Sequence, residues 1–291
     1  MFNKASTRNL GVNQKLRLCR QMLLNNLVQA LTIPISRSFR ERFKKKINLN
    51  ANNKYTFAMK LAGMDSCPSG WVVVLHDKGG FSFEVVSSIR DLVKLHPNMD
   101  GIYIDIPVGL SSQSFTRTIE KTMRQTLKSR SSTIFSPACR EAIYASDYDK
   151  ARTINKTILG KSISIQSYNI SKKIKEVDQF MTIKSNDLEL YESHPEICFK
   201  HLNNSEVIQT KKSTKDGFEE RFQLLTHQLP QLESVYKNIT KSFPKSKVKP
   251  DDILDAMVLC VCNLNTSTNP MHCLEDKNHT DALGIRIKIA Y

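Results

Sequence analysis

Apolar residues alternate with polar ones, or run together in short stretches, between residues 60 and 106, and this pattern predicts β-strands. Strands are predicted at residues 60–65, 71–76, 81–86 and 102–106, with a helix at 88–96 before the last strand. Glycine and proline separate the first three strands, so we expect a meander with tight connections. The unbroken VVVL run of the second strand indicates that both of its faces are covered.

The chain from about residue 110 to 187 is polar and rich in lysine, and its isoleucines recur at rough three- and four-residue intervals. We interpret this stretch as a helical insertion after the fourth strand. The pattern then predicts a strand, three helices and a final strand, at residues 188–192, 194–202, 213–228, 251–264 and 284–291. Ser213 and Asp216 form the expected capping box of the second of these helices. This order of elements predicts an α/β fold with a mixed sheet flanked by helices.

The composition is that of an ordinary globular protein, since 40% of the 291 residues are apolar and 24% are charged. The longest apolar run is far shorter than the roughly 20 residues that span a bilayer, so we expect no membrane segment. The seven cysteines are an odd number without a CxxC pair. This usage favours a reducing compartment, and we predict a cytoplasmic location.

The net charge of +15 is concentrated in residues 1–58, which hold 12 lysines and arginines against a single acid, Glu41. Residues 59–291 carry only +4 and are predicted to form the folded domain. We interpret residues 1–58 as a basic, disordered leader, or as an extension upstream of a natural start at Met59. An organelle-targeting presequence and a nucleic-acid-binding arm are the alternatives.

Four aspartates stand near the ends of predicted elements. Asp65 ends the first strand and Asp105 lies near the end of the fourth, whereas Asp252 and Asp255 are three residues apart on one helix and share a face. If the first and fourth strands are adjacent, four carboxylates converge, and such a cluster favours Mg²⁺ or Mn²⁺. Two ions held in this way can activate water for phosphodiester hydrolysis. The alternative for each acid is the capping of a turn or helix.

Six stretches of the chain, in order, resemble the motifs of the domain-of-unknown-function 429 family: AGMDSCPSGW (62–71), IDIPVGL (104–110), RSSTIF (130–135), KKIKEVD (172–178), ESHPEICF (192–199) and DDILDA (251–256). That family is predicted to consist of RNase H-like nucleases, so the resemblance implies a ribonuclease H-like fold over residues 60–291. Within that superfamily the Holliday-junction resolvases are similar in their catalytic, metal-binding acids. Those roles fall on Asp65, Asp105, Asp252 and Asp255.

The resemblance also draws attention to the ESHPE motif. Glu192, at the end of the fifth strand, is predicted to be an extra metal ligand or a general base, with a turn contact to His194 as the alternative. His194 is predicted either to assist water or product, or to cap or pack at the strand-to-helix corner. Four basic residues are expected to hold substrate phosphates, or else to be solvated surface charges: Arg130, Lys161, Lys211 and Lys212.

Two positions depart from the pattern expected of the family. Ser66 precedes Cys67 where a glycine is usual, and Lys128 stands where a glycine is expected before the RSS triplet. Neither change removes an acid, but both predict altered loops.

Two cysteine-based sites are alternatives to the acidic one. Cys67 lies in a turn and is a candidate nucleophile with His194 as its base, although no residue that would orient the histidine is evident. Cys260 and Cys262, with His272 and Cys273, suggest zinc. Because residues two apart on a helix point about 200° apart, a shared metal would require that helix to end early.

We therefore predict a divalent-metal-dependent nuclease with DNA or RNA as its substrate, and we predict no particular oligomeric state. One alternative is a non-catalytic nucleic-acid- or protein-binding domain of the same fold, and the modest +4 charge of residues 59–291 suits protein binding better than general DNA binding. Another is an ATPase of the related actin-like fold. Those proteins duplicate the fold, and residues 59–291 are too few for two copies.

Overall fold

The protein is represented by a computed structural model that describes residues 47–48, 56–57, 59–183, 188–266 and 269–291. Most of the predicted leader, residues 1–58, therefore lies outside the described residues, and its interpretation stays a prediction. Within it, Ile47–Asn48 and Thr56–Phe57 are two-residue strands that the sequence pattern did not predict.

A seven-stranded mixed sheet organises the described chain. Its strands are β1 (Leu61–Cys67), β2 (Gly70–Asp77), β3 (Gly80–Val86), β4 (Gly101–Ile104), β5 (Glu189–Glu192), β6 (Cys273–Thr280) and β7 (Arg286–Ala290). Their order across the sheet is β3-β2-β1-β4-β5-β7-β6. The first three strands form the predicted antiparallel meander, and β4 and β5 run parallel to β1. The mixed α/β architecture predicted from the sequence is confirmed.

The first and fourth strands are direct neighbours. Their register pairs Leu61 with Gly101 and Met64 with Ile104, and the Asp105 amide beyond the end of β4 donates to the Met64 carbonyl at 3.0 Å. Parallel pairing places Asp65 and Asp105 side by side, near the carboxyl-terminal ends of these two central strands. Asp65 was predicted to end the first strand. Strand β1 instead continues to Cys67, because its pairing with β2 extends that far.

Ten α-helices accompany the sheet in the described residues: α1 (Ile89–Leu95), α2 (Ile119–Leu127), α3 (Arg140–Ile143), α4 (Tyr148–Leu159), α5 (Ile165–Asn169), α6 (Ser171–Met181), α7 (Pro195–Leu202), α8 (Lys215–Gln228), α9 (Gln231–Ser242) and α10 (Pro250–Asn265). A 3₁₀ segment, Lys128–Thr133, follows α2. Helices α2 to α6 lie between β4 and β5, in the stretch interpreted as a helical insertion.

Both faces of the central strands are covered, as the VVVL run predicted. Val72 and Val74 of β2 pack in the apolar cluster that contains α10, whereas Trp71 and Val73 belong to the cluster that contains α1 and α6. Helix α10 is buried along most of its length and lies against β1 and β2. It forms the central support of one face of the sheet.

The KKIKEVD motif attaches the insertion to the sheet. Glu176 of α6 accepts a hydrogen bond from the Trp71 indole at 3.2 Å and another from the Ile89 amide at 2.7 Å. The Lys173 ammonium rests over the Trp71 ring, 4.3 Å from its centroid. The acid thus satisfies a buried indole N–H and the first amide of α1 at once.

Three elements differ from the sequence prediction. Helix α8 begins at Lys215, and its N-cap is Thr214 rather than Ser213, because the Thr214 hydroxyl accepts from the Gly217 amide at 3.1 Å. Helix α9 and strand β6 were not predicted. The charged sequence of β6, CLEDKNHT, lacks an apolar alternation because the strand lies at the edge of the sheet.

Two expectations from composition can be compared with the described residues. None of the helices described is long and apolar enough to cross a membrane. The six cysteines in the described ranges are all free thiols: Cys67, Cys139, Cys198, Cys260, Cys262 and Cys273.

Candidate metal centre

Three of the predicted aspartates come together near the carboxyl-terminal ends of β1 and β4. One carboxylate oxygen from each of Asp65, Asp105 and Asp255 lies within 4.8 Å of the other two. Asp65 and Asp255 are buried and Asp105 is half-buried. Strand β1, the residue after β4 and the second turn of α10 therefore supply one acid each.

The loop after β4 is held in place by buried acids. The Val108 amide donates to Glu192 at 2.8 Å, and the Leu110 amide donates to Asp281 at 3.1 Å. Gly109 between them has a φ of +76°, and a Cβ there would come within 2.6 Å of the Ile287 side chain. The IDIPVGL motif is thus a fixed turn that keeps Asp105 beside Asp65.

Burial and mutual repulsion shift the acids toward their neutral forms. Burial, reinforced by the charge of Asp255, raises the pKa of Asp105 to about 8. Burial, with the charges of Asp105 and Asp255, raises the pKa of Asp65 well above its ordinary value. Burial also raises the pKa of Asp255, against the opposing effect of a lysine. Without a cation, the three acids are not all ionised together at neutral pH.

That lysine is Lys212, which the sequence predicted as a ligand of substrate phosphates. Its ammonium lies 2.5 Å from Oδ2 of Asp255, and the side chain is 39% exposed whereas that of Asp255 is 3% exposed. Burial lowers the pKa of Lys212, but the Asp255 carboxylate outweighs this and raises it above the ordinary value. The predicted phosphate ligand is therefore paired with one of the acids.

The second oxygen of Asp255, Oδ1, is buried and has no hydrogen-bond partner among the described residues. A buried carboxylate oxygen without a partner is costly unless something positive contacts it. Asp65 uses its Oδ1 to accept the Ser66 amide at 2.6 Å. Clustered carboxylate oxygens, one of them unpaired, form the donor set that suits Mg²⁺ or Mn²⁺, so the residues present fit the predicted ion.

The fourth predicted ligand, Asp252, does not join this group of oxygens. Its Oδ2 accepts the backbone amide of Lys249 at 3.2 Å, so the carboxylate caps the N-terminus of α10. Burial raises the pKa of Asp252 to about 6. Its charge reaches Asp65, whose pKa it helps to raise, but the side chain is turned to the helix end.

Glu192, predicted as a ligand or general base, is engaged by neighbours at both oxygens. Oε1 accepts from the Arg117 guanidinium at 2.6 Å, and Oε2 accepts the Val108 amide. Burial raises the pKa of Glu192, and Arg117 opposes that shift. The described contacts give Glu192 a structural role in fixing the loop that carries Asp105.

A second acid of the ESHPE motif was missed by the sequence analysis. Glu196 forms a two-pronged pair with Arg221 of α8, with distances of 2.8 and 3.0 Å to one guanidinium nitrogen. Arg221 is fully buried, and the charge of Glu196 raises the pKa of both Asp105 and Asp255. The sequence signal for this pair is the position of Arg221, which lies at helical spacing from Phe218 and Leu225 and therefore on the apolar face of its helix.

His194 is the N-cap residue of α7 and is half-buried, and its Nδ1 atom is buried without a hydrogen-bond partner among the described residues. Burial, with a contribution from the Lys212 ammonium, lowers the pKa of His194 to about 4. The imidazole is therefore neutral at physiological pH and offers no positive charge to a substrate phosphate.

The other three predicted phosphate ligands are placed differently. Lys161 and Lys211 are exposed, and Arg130 is half-buried in the 3₁₀ segment. In the part of the chain that the structure describes, no ion pair joins any of them to an acid of the centre. Their role in holding substrate phosphates stays a prediction.

The two cysteine-based alternatives are not supported. Burial raises the pKa of the Cys67 thiol, which is the opposite of what a nucleophilic cysteine requires. Cys260 and Cys262 lie inside α10, which continues to Asn265 and leaves no early helix end for a shared metal. Among the described residues, the three aspartates form the one group with metal-ligand spacing.

Comparison with known proteins places this site in a family. A family model described as "Protein of unknown function (DUF429)" matches residues 63–279, which include Asp65, Asp105 and Asp255. The chain belongs to this family, as the motifs predicted. No curated protein matches the chain. No solved structure matches it either.

Proposed function

We propose that this protein is a divalent-metal-dependent phosphodiester hydrolase, a nuclease acting on DNA or RNA. The observation that carries the proposal is the convergence of the Asp65, Asp105 and Asp255 oxygens within 4.8 Å, together with the unpartnered Oδ1 of Asp255. Three acids brought together from distant segments oppose folding by their mutual repulsion. A bound cation would offset this repulsion, which explains why the fold brings the three acids together.

The arrangement of the sheet also supports an RNase H-like fold. The resemblance implies one acid on the first strand, one at the end of the fourth and others on a helix. Asp65 lies on β1, Asp105 directly follows the adjacent β4, and Asp255 approaches from α10. The positions of three of the four implied acids agree with that proposal.

In the proposed site Asp65, Asp105 and Asp255 would hold Mg²⁺ or Mn²⁺. The ion would supply an activated water and stabilise the charge on the leaving oxygen. The chain's own contribution is to orient the acids: the Ser66 amide fixes Asp65, and the Lys212 ammonium fixes Asp255. The buried pairs of Glu192 and Glu196 hold the surrounding segments.

The test is a cleavage assay with the purified full chain. End-labelled single-stranded DNA, duplex DNA, RNA, an RNA–DNA hybrid and a branched junction are incubated with Mn²⁺, Mg²⁺ or EDTA. We expect cleavage of at least one substrate with a metal, none in EDTA, and a loss of two or more orders of magnitude in Asp65→Asn. Asp149→Asn is the matched control, because its side chain is 84% exposed on α4.

Two results would overturn the proposal. One is metal-independent cleavage that survives Asp65→Asn, which would place the chemistry elsewhere. The other is binding of a nucleic acid or protein without turnover under any metal condition, which would favour the binding-domain alternative.

A further inference from the structure

The charges around the proposed metal site are not evenly balanced. Two flanking acids pair with buried arginines: Glu192 with Arg117, which Glu192 shares with Glu120, and Glu196 with Arg221. Of the three aspartates of the centre, Asp255 alone contacts an ammonium, that of Lys212, in the described part of the chain. Three carboxylates and one lysine leave a deficit of two positive charges when all the acids are ionised.

Lys212 is presented by a built loop rather than by a free surface segment. On one side of it, the carbonyl of Thr210 accepts from buried Arg221 at 3.1 Å. The carbonyl of the next residue, Lys211, accepts from the Thr214 hydroxyl at 2.8 Å, and this bond closes the turn across Lys212. A Cβ on Gly217 would come within 2.0 Å of that same Lys211 carbonyl. The loop is therefore anchored just before Lys212 and closed across it, which holds the ammonium beside Asp255.

Asp255 divides its two oxygens between different partners. Oδ2 contacts Lys212, whereas Oδ1 is buried and unpaired among the described residues. In two-ion sites the ions lie about 3.5–4 Å apart, clamping the attacking and leaving oxygens between them. Here one of the two Asp255 oxygens, Oδ2, already contacts a cation of the chain itself, the Lys212 ammonium.

We propose that this centre takes one divalent cation, on the side of Asp255 Oδ1, and that the Lys212 ammonium occupies the place of a second ion. The inference rests on the proposed metal site and refines the two-ion expectation from the sequence. One divalent ion with one ammonium balances the three carboxylates. Opposite ligands of a Mg²⁺ ion with oxygens at about 2.1 Å are about 4.2 Å apart. The three carboxylate oxygens lie within 4.8 Å of one another, so small side-chain movements would bring them around one ion.

The proposal predicts how many ions bind when the lysine charge is removed. Lys212→Met keeps the length and apolar stem of the side chain but frees Oδ2 and leaves one more uncompensated negative charge. We expect one Mn²⁺ per chain in the wild type and two in Lys212→Met. Lys212→Arg keeps the charge, and we expect one. Lys211→Met, a change at the exposed neighbouring lysine, is the matched control and should also bind one.

The test counts Mn²⁺ bound to the full chain by equilibrium dialysis, with free Mn²⁺ measured by its paramagnetic resonance signal, at pH 8. A wild-type count of two would overturn this inference and leave the proposed metal site intact. A wild-type count of zero would overturn both. A count of one in a folded Lys212→Met would show that the lysine does not replace an ion. If Lys212→Met fails to fold, Lys212→Gln is counted, and the wild-type number by itself still decides between one ion and two.

Discussion

Gly63 of β1 lies directly against Ala256 of α10, so closely that a Cβ on Gly63 would come within 2.2 Å of the Ala256 carbonyl oxygen. The same added Cβ would lie 2.1 Å from the backbone nitrogen of Cys260, one helical turn further along α10. Strand and helix are therefore in backbone contact at this point. Asp65 follows two residues later on the same face of β1, and Asp255 immediately precedes Ala256, so this contact brings the two carboxylates together.

We expect Gly63→Ala to destabilise the protein and to weaken its response to metal. The new methyl group forces β1 and α10 apart, and overpacking of this kind costs typically 1–3 kcal/mol or more. Gly80→Ala is the control, because its nearest neighbour is at an ordinary 3.7 Å and the position is exposed. Urea unfolding checks both variants. Equal stability for the two would contradict the close contact.

The metal site predicts a ranking of thermal shifts. At ten times its Kd, a cation that binds only the folded state adds about 1.4 kcal/mol, or roughly 3–6 °C in Tm for a domain of this size. Asp65→Asn and Asp105→Asn should lose most of this Mn²⁺ response. Asp252→Asn should keep it, because asparagine retains the oxygen that caps α10. A lost response in Asp252→Asn, measured by differential scanning fluorimetry, would restore the four-acid site.

The raised pKa of Asp105 predicts how stability depends on pH in EDTA. Its folded pKa is about 8, whereas an unfolded aspartate has a pKa near 3.9. Between these values the unfolded chain releases the proton and the folded chain retains it, so this group makes stability fall as pH rises from about 4 to 8. We expect the drop in Tm between pH 5.5 and 8.5 to be smaller in Asp105→Asn than in the wild type. An unchanged drop would contradict the raised pKa.

The burial of Cys67 predicts that its thiol is dispensable for chemistry. Cys67→Ala should retain most of any metal-dependent cleavage, within about threefold, while Asp65→Asn loses it. Initial rates on the best substrate of the cleavage assay give the comparison. The opposite ranking would point to thiol chemistry instead of the acidic centre.

Lys128 occupies a backbone conformation that suits glycine, at the position where the family resemblance predicts one. Its φ is +46° and its ψ is −105°. A side chain in such a conformation costs about 1–3 kcal/mol, so Lys128→Gly should stabilise the protein by about 1 kcal/mol after the flexibility of glycine is subtracted. Lys128→Ala keeps the Cβ and should gain nothing. Chemical denaturation of the two variants checks this, and equal stabilities would show that the backbone is unstrained.

Much of the architecture could be predicted from local patterns. Alternation and β-branched runs predict β1 to β4 to within two or three residues, because a strand with a buried face repeats every two residues. Asp65, Asp105 and Asp255 could be chosen as site residues from their positions near element ends. The edge strand β6 escaped prediction because an exposed, charged strand carries no such alternation.

The roles of the charged residues were decided by tertiary contacts. Asp252 and Asp255 are equivalent in sequence spacing, but one caps its helix and the other joins the centre. Lys212 contacts an acid 43 positions away, and Arg117 pairs with an acid 75 positions away. Periodicity reports which face of an element is buried. Which acid pairs with which base depends on how distant segments pack together. For the acidic centre, that packing is set by the contact of α10 with Gly63.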